Sequence, residues 1–245
     1  MNPTIELLKS HRSIRKFTDQ KISRELFRDL IRAGQCAASS NHVQAYSIIH
    51  VMDPDNRRKI AELAGGQDYI ADCSDFLVFC ADMKRPTEAA GRAGAEVVRG
   101  MTEQLLVSTI DTSLMAQNVA VAAESEGLGL CYIGGIRNNP APISEILRLP
   151  EHVYPVFGMC LGWPAEAPKQ KPRMDLGLTV HYEKYDTAGL DEKLDGYDAE
   201  LAKHYDSVGK ETTRDSWTYD IDAKFAQPRR DKLREQLKGM GFDFR

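Results

Sequence analysis

What this sequence has little of narrows its chemistry early. Its 245 residues include five cysteines, an odd number. Cys36, Cys73, Cys80, Cys131 and Cys160 form no C-x-x-C pair, so their spacing encodes neither a disulfide framework nor a dithiol redox motif. Cys80, Cys131 and Cys160 stand in apolar runs and read as reduced core residues of a cytoplasmic protein. The six histidines are scattered and show no metal-ligand spacing. H-E-x-x-H, G-x-S-x-G and Walker sequences are all missing, which leaves metal-assisted and serine hydrolysis without support. Gly127, Gly129 and Gly134 approach a dinucleotide fingerprint but lead from a helical stretch into a strand. A Rossmann phosphate turn needs the reverse order.

Positive charge is also in short supply. Thirty-two Lys and Arg against 36 Asp and Glu leave a net charge of -4. Nucleic-acid binding by counterion release needs a concentrated basic face, so that class is excluded. Any anionic ligand must be held by a local cluster of cations. No run approaches the roughly 18 apolar residues of a membrane span. The opening MNPTIELLKSHRS lacks the apolar core, about seven residues or more, of a secretory signal. At 42% hydrophobic residues the chain can bury a substantial core, and no linker or repeat divides it. It therefore reads as one domain, 1–245.

Local patterns sketch that domain. Asn2 and Pro3 are a cap and first residue for a helix over TIELLKS. RELFRDLIRAGQCA has helical spacing, AYSIIHVM is β-rich, and PDNRRKIAELAGG is a helix stopped by Gly65 or Gly66. DFLVFCAD has the length and content of a buried strand. KRPTEAAGRAGAE shows no period and is expected to be irregular. TEQLLVSTIDTSLMAQNVAVAAESEG is the longest periodic stretch; Leu106, Ile110 and Leu114 recur every four residues, as do Met115 and Val119. Apolar residues on several of its sides predict a helix at the centre of the fold. GLCYIGG reads as a strand, NPAPISEILRLP as a short helix, YPVFGMCLGWP as a strand and TVHYEKY as an edge strand. Polar helical patterns over roughly 190–207 and 219–239 carry little apolar content, so this tail is expected to lie across a symmetry mate. Pattern alone gives a layered α+β or α/β fold.

Several clusters could carry chemistry. His11-Arg12-Ser13-Ile14-Arg15 puts three potential cations and a hydroxyl directly after a helix. Guanidinium forks and a serine suit phosphate oxygens, though a solvated helix end would look the same. Lys171-Pro172-Arg173 could converge on one anion across a fixed proline, or form a surface turn. Ser39-Ser40-Asn41 offers small polar groups that could face a ligand or end a helix. Gln67, after Gly65-Gly66, can both donate and accept, as a heterocycle would require. Tyr132-Ile133-Gly134-Gly135 ends a strand where backbone N–H groups could approach a flat ligand; a plain turn is the alternative.

Taken in order, HRSIRKFTDQKI, SSN-HVQAYSII, GGQ, DFLVFCAD, DTSLMAQNVAVAAESEGLGLCYIGGIRNN, VFGMCLGWP and KPR resemble the nitroreductase superfamily. The resemblance is to its oxygen-insensitive NADPH nitroreductase and NADPH:FMN oxidoreductase group. It runs from residue 2 to about 185 and continues weakly to the end. It implies an α+β sandwich with a mainly antiparallel central sheet, and a C-terminal extension over about 190–245 packing on the partner of a homodimer. It also implies FMN as cofactor and NADPH as co-substrate. His11, Arg12, Ser13 and Arg15 would surround the phosphate, ribityl chain and pyrimidine edge, with Lys171 and Arg173 completing a phosphate clamp. Ser39, Ser40 and Asn41 would line the cavity, and the family often has serine where Asn41 stands. Gln67 would hydrogen-bond the isoalloxazine. Tyr132, Ile133, Gly134 and Gly135 would run along the ring, with a glycine N–H, that of Gly134, facing N5. Arg137 and Arg229 match cationic positions that would read NADPH. The family's usual arginine in HYDSVGKE is Val208 here, with Lys210 close by, which leaves NADH use open. The implied activity is ping-pong reduction of small acceptors such as nitroaromatics, quinones or free flavin. A flavin-binding sensor without turnover is the alternative.

Overall fold

A computed structural model describes residues 2–209 and 216–245; Lys210 lies outside the described residues. In chain order the elements are α1 (Pro3–Lys9), α2 (Arg24–Gln35), β1 (Tyr46–Val51), α3 (Pro54–Leu63), α4 (Tyr69–Asp72) and β2 (Asp75–Asp82). They continue with α5 (Lys84–Arg92), α6 (Thr102–Ser125), β3 (Gly129–Ile133), α7 (Pro140–Leu147), β4 (Val153–Gly162), α8 (Leu190–Ser207), α9 (Trp217–Phe225) and α10 (Leu233–Gly239). Two compact units form: residues 1–167 with 232–245, and residues 168–231.

The first unit is built on one antiparallel sheet of order β1-β2-β4-β3. Period-two alternation explains why β2 reads as a continuous apolar run, since both of its faces are covered. Phe76, Val78 and Cys80 point into one core with Ile60, Ile70, Ile133 and Ile143. Leu77 and Phe79 point into another with Leu30, Met115, Val119, Leu130 and Met159. Each such buried side chain contributes about 1.5–3 kcal/mol of transfer free energy. The fold is α+β, as expected.

Helix α1 starts as its sequence predicts, with the Asn2 side chain accepting the Thr4 N–H at 2.9 Å. Helix α6 is only half central. Ser108, Asp111, Thr112, Met115, Ala116, Val119, Ala120 and Ala123 are buried, whereas Leu106, Ile110 and Leu114 are exposed. By length and composition this helix could cross a membrane, yet its Met115–Ala123 face is part of the core against the sheet.

Other local expectations are corrected. Residues 84–92 are helix α5, because the Asp82 carboxylate accepts the Arg85 N–H at 3.1 Å and Pro86 sits in the tolerant first turn. The segment TVHYEKY forms no strand. Its backbone bonds are local, as in Val180 N–H to Leu176 O at 2.8 Å, and Tyr182 and Tyr185 are exposed. The single helical pattern over 219–239 is two helices, since Pro228 supplies no N–H and disfavours helix just before it. The end of the tail joins a core shared with the sheet. Leu237, Met240 and Phe242 are buried beside Ala81, Tyr154 and Val156, and Thr102 N–H bonds Arg245 O at 3.1 Å. Residues 232–245 therefore belong to the sheet-bearing unit, although the expected extension began near 190.

One polar staple ties β1, β2 and the N-terminal segment together. His50 Nε2 lies 2.9 Å from Asp75 Oδ1, Ser74 Oγ donates to Asp75 Oδ2 at 2.8 Å, and Ile22 N–H donates to Ser74 Oγ at 3.0 Å. Burial opposes ionisation of Asp75, but the hydrogen bonds from His50 and Ser74 and the charges of His50 and Arg57 outweigh it and lower its pKa. Because the folded value is depressed, this stabilisation is present above the unfolded value of about 3.9 and is lost as pH falls through the folded value. Asp75→Asn should cost about 1.5–3 kcal/mol at neutral pH and flatten the acid limb of the stability curve. Urea titrations between pH 3 and 7 check both; parallel curves for variant and parent would contradict the assignment.

Candidate functional site

The basic N-terminal segment is laid against the end of the sheet by backbone contacts. Ile14 N–H donates to Leu130 O at 2.8 Å, and Ser13 bridges Leu130 in parallel register. Gly129 permits the approach, since a Cβ there would lie 2.7 Å from Ile14 Cγ1. Two carboxylates fix the segment from outside. Glu166 Oε1 accepts the N–H groups of Arg15 at 2.7 Å and Lys16 at 3.1 Å. Glu124 Oε1 lies 2.7 Å from His11 Nδ1. Arg12 reaches the carbonyl of Ser10 through Nε at 3.3 Å and lines a cavity of about 230 Å³ with Ile14, Glu124, Gly129 and Glu166.

Arg15 leads onward to a second group of expected residues. Its guanidinium is close enough to the Tyr69 hydroxyl to lower that group's pKa, although burial raises it on balance. Tyr69 in turn donates to Gln67 Oε1, and Gln67 Nε2 donates to Ala64 O at 2.7 Å. Both ends of the Gln67 amide are thereby oriented, and the second N–H of Nε2 is what it can offer a ligand. Gly135 packs directly on this group; a Cβ there would lie 2.1 Å from Ala64 O and 2.4 Å from Gln67 Nε2. Arg15, Gln67 and Gly135, far apart in sequence, thus meet at the end of β3.

Burial raises the Cys131 thiol more than Arg15 and Ser13 lower it, so it stays protonated at neutral pH and is no nucleophile. Burial likewise pushes the Tyr132 phenol well above its ordinary value, with Glu124 adding to the effect. Neither group acts as a base. Tyr132 packs edge-on against Phe157 at 5.2 Å, and its hydroxyl reaches Gln117 Oε1 at 3.4 Å. The Ile133 side chain is fully buried in the core, so only its backbone can face a ligand. Arg137 donates to the Val156 carbonyl at 2.6 Å.

Ser39, Ser40 and Asn41 lie on an arc between α2 and β1. Asn41, His42 and Gln44 have φ of 46°, 57° and 52°, a conformation costly for residues other than glycine. In the second unit, Lys171 Nζ meets the Tyr205 hydroxyl at 3.2 Å and lies 5.1 Å from its ring centroid. Tyr197 donates to the carbonyl of Pro172 at 3.3 Å, so the turn between Lys171 and Arg173 is anchored on α8. Arg173 and Arg229 are exposed, and Val208 follows α8 as its C-cap. Among the described residues no group of His, Cys, Asp and Glu could hold a metal ion, and all five cysteines are free.

Sequence reasoning missed Tyr69, Glu124, Glu166 and Asp111. Asp111 alone left a visible signal, a lone acid in the apolar stretch LLVSTIDTSLMA. The others are ordinary residues whose roles arise only from the fold.

Comparison with known proteins places the chain. The "Nitroreductase family" model matches residues 8–163, and the "Nitroreductase family, C-terminal domain" model matches residues 171–245. An oxygen-insensitive NADPH nitroreductase of Salmonella typhimurium is 44% identical over 243 residues, covering 99% of each chain. An FMN reductase (NADPH) of Bacillus subtilis is 39% identical, again over 99% of each. Among solved structures, the NADPH:FMN oxidoreductase of Vibrio harveyi complexed with NAD+ superimposes with a TM-score of 0.90 at 38% identity over the whole of both chains. NfrA1 of B. megaterium gives 0.95 at 38%, covering 99% of this chain and 100% of that one. Two family models spanning most of the sequence, together with end-to-end relatives, show that the chain belongs to the nitroreductase family.

Proposed function

We infer that this protein is an FMN-dependent oxidoreductase that takes reducing equivalents from NADPH and passes them to small oxidised acceptors. The observation that carries the reading is the meeting of Arg15, Gln67 and Gly135 at the end of β3, in a chain aligned end to end with NADPH-dependent flavin and nitro reductases. The donor set suits the cofactor. Arg12, Arg15, Lys171 and Arg173 are cations of the kind that hold a phosphate bearing about two negative charges. Gln67 offers a directed amide to a ring edge with mixed donors and acceptors.

FMN, when bound, would supply two-electron redox chemistry between the nicotinamide and an acceptor. The side chains hold, orient and bias it. We propose that Arg12, Ser13, Lys171 and Arg173, with His11, bind the phosphate and ribityl chain. Arg15 keeps positive charge beside the pyrimidine edge, where negative charge is favoured after reduction. Tyr132 to Gly135 give the ring a surface whose glycines let backbone approach it, and Ser39, Ser40 and Asn41 close the cavity. With Tyr132 and Cys131 protonated, neither acts as a nucleophile or base, and we propose ping-pong kinetics in which donor and acceptor use the site in turn. Arg137 and Arg229 are proposed to select NADPH over NADH.

We further propose a cytoplasmic homodimer. The exposed apolar residues of α1 (Ile5, Leu8) and of α6 (Leu106, Ile110, Leu114), and the largely polar unit 168–231, suit burial against a second copy. The acceptor could be a nitroaromatic, a quinone or free flavin.

Purified protein should be yellow and release FMN on denaturation. In a stopped-flow experiment NADPH should bleach the bound flavin fast enough to account for steady-state turnover. Bleaching too slow to sustain catalysis, with no acceptor turned over, would mark a flavin-binding sensor instead.

A further inference from the structure

Asp111 is the fully buried acid of α6, and the flavin chemistry leaves it without a task. It lies on the helix face turned to the core. An ionised carboxylate is costly to bury unless its oxygens are hydrogen-bonded. Asp111 directs one oxygen to each end of the arc between α2 and β1. Oδ1 accepts the Ser40 N–H at 2.9 Å, and Oδ2 accepts the Ala45 N–H at 3.1 Å. Between these two anchors lie Asn41, His42 and Gln44, all in the left-handed region.

Local bonds are few: Val43 N–H to Ser40 O at 2.9 Å, a longer His42 N–H to Ser39 O at 3.3 Å, Tyr46 N–H to Gln44 O at 2.9 Å, and a side-chain contact of 3.3 Å between Gln44 Nε2 and His42 Nε2. The rest of the hold comes from outside. Arg85 supplies the complementary grip, donating to the carbonyls of Gln44 at 2.9 Å and Tyr46 at 2.6 Å. A carboxylate thus takes two N–H groups at the ends of the arc, and a guanidinium takes the carbonyl of Gln44 and that of Tyr46 just beyond it. The clamp has opposite charges on the two kinds of backbone group.

We propose that Asp111 is a positioning residue for the cofactor site, holding residues 39–45 in the strained conformation that presents Ser39, Ser40 and Asn41 to the flavin. The proposal rests on the flavin reading above. It deepens that reading by assigning a role to a residue that touches no ligand. Removing one acceptor lets the arc relax, and the three polar residues then leave the cavity wall without any change in their own chemistry.

Asp111→Asn is the direct test. The amide keeps one acceptor oxygen but turns an N–H₂ toward the other backbone N–H. FMN affinity, titrated by quenching of flavin fluorescence, should weaken about tenfold to a hundredfold, the range for a lost hydrogen bond to a charged group. The visible circular dichroism of the bound flavin, which reports the wall around the ring, should change as well. Thr112→Val serves as a control. It removes a buried hydroxyl at the next position of the helix, bonded to Cys80 O at 3.2 Å and Ser108 O at 2.7 Å. It should lower stability while leaving FMN affinity and the dichroism unchanged. Should Asp111→Asn not fold, Arg85→Met releases the other side of the arc from a half-exposed position and should weaken FMN binding in the same direction. Parental FMN affinity and dichroism in a folded Asp111→Asn, or in Arg85→Met where the first does not fold, would overturn the proposal. A parent protein that itself binds no FMN would instead overturn the flavin reading.

Discussion

Replacing Gly135 with alanine should lower the melting temperature by several degrees and empty the cofactor site, although one methyl group is all that changes. The added carbon would lie 2.1 Å from Ala64 O, which is backbone and cannot swing aside, and 2.4 Å from Gln67 Nε2. Gln67 would be driven off the Ala64 carbonyl and away from Tyr69, losing both bonds that orient its amide. Overpacking of this kind costs about 1–3 kcal/mol, and with a backbone atom as obstacle the upper part of that range applies. In a chain of this size each kcal/mol shifts the midpoint by about 2–4 °C. Gly134→Ala supplies the contrast. Its new carbon would meet only Arg137 Nη2, at 3.6 Å, so stability should hold while flavin content falls, because the methyl stands on the surface proposed to face the ring. Differential scanning calorimetry with flavin quantified in the same samples checks the pair. Equal stability of both variants would refute the packing argument, and full flavin in Gly134→Ala would remove that glycine from the site.

A comparably large effect is expected from the cations. Arg12→Ala and Lys171→Ala should each weaken FMN binding by about 1–3 kcal/mol, the range for a charged hydrogen bond with its partner left behind. The net charge is -4, so no general positive field compensates for a lost cation. Each residue is also pre-positioned: Arg12 beside the carbonyl of Ser10, and Lys171 against Tyr205. If both contact one phosphate, their losses should be coupled, and a double-mutant cycle should show non-additivity. Raising salt should weaken FMN binding to the parent more than to either variant. Unchanged affinity in both single variants would dissolve the clamp.

Much of the fold is legible in the sequence because much of it is decided locally. Asn2 and Pro3 start α1, Gly65 and Gly66 end α3 with positive φ, and the run of β2 is apolar because both faces are covered. The misread segments are those where a distant partner decides. Helix α5 depends on a carboxylate at the end of β2, and the chain end becomes core only when Phe242 meets Tyr154 at 5.3 Å. TVHYEKY has the right residues for a strand but makes only local backbone bonds. The site divides in the same way. The basic motif and the glycine pair stand out as residue types suited to a phosphate and a flat ring. Asp111 and Glu166 act instead on backbone N–H groups 71, 66, 151 and 150 positions away, which no local pattern can encode.

The most direct test compares FMN with riboflavin, which differ only by the phosphate. On this account the parent protein binds FMN at least about a hundredfold more tightly, since two or more charged contacts are lost without the phosphate, and Arg12→Ala closes much of that gap. Equal affinity for the two flavins would contradict it.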